Sequence, residues 1–349
     1  MRPALTAQTP EQRPWRQILA AYQKPSVARS VLEIFLTIGP LALIWAAGWF
    51  AATNGLWWLA MLLSVPASAF LVRLFMIQHD CSHRSYFANA ALNDWMGRII
   101  GVFTLTPHDC WRQSHAVHHA ASGNLDRRGL GDIKTLTTEE YRALSPIKRL
   151  GYRMFRHPLV LFVLGPGYLF FLEQRLPSGL MREGWKPWAS AMSTNGAIAL
   201  LVLAAILAGG WKALVFVYVP TTLLAGMIGI WLFFVQHQFE GAYWSRNKTW
   251  DLQEAALKGS SFYDLPPVLR WFTANIGVHH VHHLASRIPF YRLHKVLCDH
   301  PELRNVSRLS LLGSLRCIGL SLWDEAGQRL VSFRQHRRSE RLRARTASA

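Results

Sequence analysis

Acidic residues are scarce in this chain. Its 349 residues hold 20 Asp and Glu against 38 Lys and Arg, a formal charge of +18. Such a balance suits nucleic acid or an anionic membrane surface, but here the cations gather between long apolar runs. That segregation argues against a nucleic-acid binder and for juxtamembrane segments facing anionic headgroups. Cysteine is scarce too: Cys81, Cys110, Cys298 and Cys317 show neither CxxC spacing nor a paired framework. Reduced thiols are expected, and neither a disulfide scaffold nor an iron–sulfur cluster is. Gly-rich dinucleotide fingerprints and a His-Pro-Gly-Gly haem segment are missing as well. The polar, basic stretch up to Arg29 lacks a short apolar core followed by a small-residue cleavage site, so a cleaved signal peptide is not expected.

What is abundant is hydrocarbon: 51% of the residues are apolar and only 17% charged. Apolar runs cover residues 31–50, 56–77, 189–207 and 213–235. Each is about 20 residues long, enough to cross a hydrocarbon core of roughly 30 Å at ~1.5 Å per helical residue. The links at 51–55 and 208–212 are short, which joins the runs into two helical hairpins. The apolar stretch 159–172 has only 14 residues and contains Gly165, Pro166 and Gly167. It is too short and too broken for a span and reads as interfacial or re-entrant. Residues 92–105 suggest a helix lying on the surface.

The expected architecture is an all-α integral membrane protein with about four transmembrane helices in two hairpins and a cytosolic helical cap that carries a histidine-ligated dimetal site. Residues 1–29 form an N-terminal segment, 30–333 one membrane domain, and 334–349 a basic, mobile tail. Orientation follows from loop charge. The head carries Arg2, Arg13, Arg16, Lys24 and Arg29, and the stretch 84–156 carries 11 more Lys and Arg, whereas the hairpin links carry only Lys212. Both termini and the central loop are therefore expected in the cytosol.

That orientation, reached without the histidines, places three histidine clusters on one side of the bilayer. His79 and His83 stand at i and i+4, so a helix turns both imidazoles to one face. His115, His118 and His119, and then His279, His282 and His283, repeat the i, i+3, i+4 stripe. His280 sits about 100° away from His279 on a helix and is expected to point elsewhere. A single HxxxH is weak evidence, but two HxxHH groups with an HxxxH on one membrane face are not. Eight imidazoles exceed what one zinc can use and suit two metals with open positions, though imidazole alone does not name the metal. The Glu and Glu-x-x-His ligands of soluble di-iron bundles are missing.

The clusters HDCSH, HAVHH and HHVHH, in that order and separated by apolar pairs, resemble the three histidine boxes of membrane fatty-acid desaturases. The resemblance covers roughly residues 30–300. It is sharpest to bacterial and cyanobacterial delta-12 (omega-6) acyl desaturases, through SHAVHHAASGNLDRRGLGDIKTLT, FVQHQFEGAYW and SSFYDLPPVLRWFTANIGVHHVHHLASRIPFYRL. It implies a multi-pass protein of the bacterial inner membrane. It also implies two non-haem irons that activate dioxygen and remove two hydrogens from adjacent methylenes of an acyl lipid or thioester. The eight box histidines would carry the ligand role, and the place of a further family ligand near the end of the last span is taken by His237. A histidine at the mouth of a span is costly to bury without a partner, although one reaching for headgroups stays an open reading.

Metal-bound imidazoles usually donate their second N–H to a carboxylate or carbonyl. Asp80, Asp126, Asp132, Glu240 and Asp264 are the acids near the boxes, and Asn275 lies one turn before His279. His108, His157, His294, His300 and His336 lack ligand spacing and are expected at the interface or surface. With no haem, flavin or cluster motif present, a separate electron donor of ferredoxin or cytochrome type is expected on the basic face. Two other readings stay open: a hydroxylase or oxygenase on the same scaffold, and a membrane metal transporter. The transporter fits poorly, because the spans lack ligands at mid-depth.

Overall fold

The computed structural model describes residues 13–347; the cation at Arg2 and the last two residues of the tail lie outside them. Two helical hairpins form the body. The first joins Val27–Thr53 to Trp57–Ser82 through a turn at Asn54 and Gly55, with Gly55 at φ +82°. The second joins Trp185–Leu207 to Trp211–His237. A Cβ at Gly210, in its link, would lie 1.8 Å from Cη2 of Trp49, so only glycine lets this link close on the first span.

Each span is longer than the apolar run that announces it, and the overrun matters at the second and fourth. Arg73, Gln78, His79 and Asp80 are buried within the protein rather than turned to lipid. Hydropathy therefore fades about where the helix begins to carry function. Glu33 shows why a charge survives in the first span: Arg29 holds it at 2.7 Å and Arg73 pairs with it from the second span. The Arg73 guanidinium lies 3.9 Å over the Trp271 ring, so one cation ties together two spans and the cap. Breaking such a buried pair by removing one partner costs about 3–5 kcal/mol.

The cap is built from short helices. Ala90–Phe103 takes in most of the stretch 92–105 read as a surface helix, and His108–Ala121 carries the second histidine box. Pro146–Phe155 is followed by Val160–Arg175, bent from it by 57°, which takes in the stretch 159–172. One feature adds to the sequence reading and a second corrects it. The cap is not purely helical: Leu136–Thr137 pairs in parallel with Leu320–Asp324, which pairs antiparallel with Arg329–Ser332. Phe262–Asp264 also pairs with Arg308–Ser310. These strands have two to five residues, too few for period-two alternation to register. Second, the tail is not a loose strand of charge but a helix, Phe333–Ala347. Its His336 is buried against the Tyr141 ring, and its Glu340 accepts from Arg142 at 2.7 Å.

Candidate metal centre

The three boxes sit on three short lengths of helix. His79 lies in the last turn of the second span, with His83 as the residue that caps it. The second box occupies the end of His108–Ala121, and the third fills His279–Leu284. Entry to the third is forced by a tight turn: Ala274 and Asn275 have φ of +49° and +56°, and a Cβ on Gly277 would meet the Tyr263 carbonyl at 2.3 Å.

Nine imidazoles converge in two groups. His79, His83, His115, His119 and His282 form one, and His118, His237, His279 and His283 the other, with candidate ligand atoms within 4.8 Å of one another in each. Helical periodicity explains the division. His115 and His119 differ by about 40° around the axis and share a group, while His118 is turned about 60° the other way and faces its neighbour.

The distances suit a shared cation. Nε2–Nε2 separations are 3.2 Å for His79–His115, 3.1 Å for His115–His119 and 3.0 Å for His119–His282. In the other group they are 3.1 Å for His118–His237, 2.9 Å for His237–His279 and 3.1 Å for His279–His283. A metal with bonds of about 2.0–2.1 Å to nitrogen holds neighbouring ligands about 3 Å apart. Among the described residues, the buried Nε2 of His83 has no hydrogen-bond partner.

The outer nitrogens are tied back. Nδ1 of His118 lies 2.5 Å from Asp132, that of His79 3.3 Å from Asp80, and that of His237 3.3 Å from the Gly259 carbonyl. Donation there keeps the proton on Nδ1 and leaves an Nε2 lone pair facing inward. Burial first, then crowding by other imidazoles, holds His115, His119, His279, His282 and His283 well below the ordinary histidine range. Burial and then His118 bring His83 down to about 3. Neutral imidazole, the form that binds metal, is thus favoured at these six.

The neighbouring polar residues divide sharply. Asp80 also accepts from the Phe290 amide at 2.7 Å, which fixes its carboxylate beside His79. Asp126 is instead occupied by Arg246 and the Asn247 amide, and Asp264 by Arg308. Glu240 is exposed and contributes its backbone carbonyl to Leu330. Asn275 serves the turn, its side-chain amide donating to Phe290 O at 3.1 Å. Among the described residues, none of these four makes a hydrogen bond to the nine imidazoles. His280 turns away, Nε2 meeting Leu303 O at 3.0 Å. His108 is not at the surface: it is fully buried against Gly97.

Sequence reading overlooked the aromatic walls. Trp111 stacks on His115 at 4.3 Å with rings 19° apart, one helical turn before it, a spacing that was open to view. Phe233, one turn before His237, lies 5.1 Å from His118 and 5.2 Å from His237. It also overlooked Arg156, which is buried and donates to Gln238 at 2.9 Å and Leu320 O at 2.7 Å.

Two apolar hairpins whose ends close over paired histidine groups define a membrane protein with two sets of nitrogen ligands that could hold metal. Residues 56–307 match the fatty acid desaturase family. The chain is 40% identical over 316 residues to "Fatty acid desaturase" of Bacillus subtilis, covering 90% of this chain and 89% of that protein. It is 28% identical to "sn-1 acyl-lipid omega-3 desaturase (ferredoxin)" of Synechocystis, covering 78% and 75%. It is 23% identical to "sn-1 oleoyl-lipid 12-desaturase" of Arthrospira platensis, covering 70% and 69%. The chain belongs to the fatty acid desaturase family and is an oxidoreductase of the membrane.

Proposed function

We propose that this desaturase uses two irons, one in each histidine group, with dioxygen as co-substrate to place a double bond in a membrane-borne acyl chain. The observation that carries the reading is the nine-nitrogen arrangement, two facing groups whose Nε2 atoms stand at metal-ligand spacing. His79, His83, His115, His119 and His282 would hold one iron, and His118, His237, His279 and His283 the other. Bound there, the irons supply the redox chemistry for unactivated C–H bonds that no side-chain acid or base can provide.

The protein's own part is orientation and exclusion. Asp132, Asp80 and the Gly259 carbonyl set the tautomers, while Trp111 and Phe233 pack the imidazoles into place. Regioselectivity is then a matter of where the chain's carbons rest, since a misplacement of about 1 Å can cost a hundredfold. The spans give an acyl chain direct access from the bilayer.

The position we propose is delta-12 (omega-6), on the strength of the box sequences. Relatives bear names for both that position and omega-3. A separate one-electron donor, ferredoxin or a cytochrome, would dock on the basic cytosolic face, in keeping with the relative named for ferredoxin. Both termini would lie in the cytosol and the spans in the inner membrane.

The test is expression of the full chain in a host that makes oleate but no dienoic lipid, followed by fatty-acid methyl ester analysis and iron determination. A new diene with its second double bond at carbon 12 and about two irons per chain are expected. A hydroxylated product without a new double bond would overturn desaturation, and a bond at omega-3 would overturn only the position.

A further inference from the structure

The helix Pro146–Phe155 has two unlike faces. At about 100° per residue, Leu150, Met154, Ile147 and Phe155 fill one arc roughly 140° wide. These side chains are 61%, 54%, 83% and 39% exposed, so the described residues leave the first three largely uncovered and Phe155 in part. Lys148 stands at one edge of that arc and Arg153 about 60° beyond the other; both are exposed, and Arg153 also donates its Nε–H to the Tyr141 hydroxyl at 2.6 Å. Tyr152 and Arg156 occupy the opposite side.

That opposite side is firmly fastened. The Tyr152 hydroxyl donates to Ser321 O at 2.6 Å and accepts from the Leu136 amide at 3.1 Å. Arg156, which caps the helix, donates to Leu320 O and to Gln238, the residue after His237. The helix is therefore held with its apolar arc outward. Beyond it the chain turns by 57° into the apolar Val160–Arg175 segment.

We propose that Pro146–Phe155 lies in the plane of the membrane surface as a binding element for anionic phospholipid. The apolar arc enters the acyl boundary, and Lys148 and Arg153 reach headgroup phosphates from its two sides. An in-plane helix with an apolar face flanked by cations has this form, and its continuity with an apolar segment sets it at membrane level. A second copy of the chain fits the surface less well. A symmetric contact would bring the cations Lys148 and Arg153 against the same cationic pair, and four side chains fall far short of the roughly 1,000 Å² that a stable interface needs.

The test uses the full-length protein in lipid nanodiscs. Cys298 is the exposed thiol among the four cysteines, so Leu150→Cys in a Cys298→Ser background accepts a single nitroxide label. In discs of phosphatidylcholine with phosphatidylglycerol, the label should collide with lipid-soluble oxygen far more than with a water-soluble nickel chelate, at a depth just below the phosphates. Collision mainly with the chelate overturns the proposal, and so does a depth near the bilayer midplane, which would make this segment part of a span. Shielding from both reagents with dipolar broadening between labels would assign the surface to a second copy instead. Lys148→Gln with Arg153→Gln should lower the enrichment of spin-labelled phosphatidylglycerol around the protein, by up to about fivefold per charge. An unchanged enrichment overturns the anionic preference.

Discussion

At the scale of single residues, the separation between carboxylates that touch an imidazole and those that do not is open to measurement. Asp132→Asn keeps the shape of the side chain but weakens the acceptor that orients His118, so iron affinity should fall about 10–100-fold. Asp126→Asn, whose carboxylate serves Arg246, should leave iron affinity unchanged; competition with a chelator compares the two. The eight box histidines could be picked out from spacing because helical periodicity is local: i, i+3 and i+4 share a face wherever the helix goes; His237, alone at the end of its span, came only from the resemblance. The choice among Asp80, Asp126, Asp132, Asp264 and Glu240 could not be made that way. Asp132 reaches His118 across 14 positions of loop, a contact that only the folded cap creates.

At the scale of elements, the packing of Ala90–Phe103 on His108–Ala121 turns on one glycine. A Cβ at Gly97 would lie 2.2 Å from the His108 ring, and the ring has nowhere to retreat. Gly97→Ala should cost about 1–3 kcal/mol, read as a lower thermal midpoint of the purified protein. His108 itself makes the contact pH-sensitive. Burial brings its pKa down to about 4; Asp109 and Asp94 oppose the shift, and Arg112 and Arg98 reinforce it. The folded state then binds fewer protons than the unfolded state between about pH 4 and 6.5, so stability rises with pH across that window and is lost as pH falls through it. Among the described residues neither ring nitrogen has a hydrogen-bond partner, so His108→Leu removes this acid sensitivity without sacrificing a bond. Its acid-unfolding midpoint should move to lower pH.

Over the whole molecule, hydropathy revealed the two hairpins because each span must satisfy its own backbone in lipid. The helix ends, the small sheets and the docked C-terminal helix stayed hidden, since their stability comes from contacts distant in sequence. The orientation drawn from loop charge is tested by tags placed at both ends. In inverted inner-membrane vesicles a protease should remove both tags, and in intact spheroplasts neither.

The interleaving of the boxes carries a consequence for assembly. His115 and His119 belong to one group and His118, on the same turn, to the other; His282 belongs to the first group and His279 and His283 to the second. An ion entering either group freezes two helices that its neighbour also depends on, and so lowers the entropy lost when the neighbour fills. Loading should be positively cooperative. Titration of metal-free protein with ferrous iron is expected to give a sigmoidal curve, with the singly loaded form a minor species throughout.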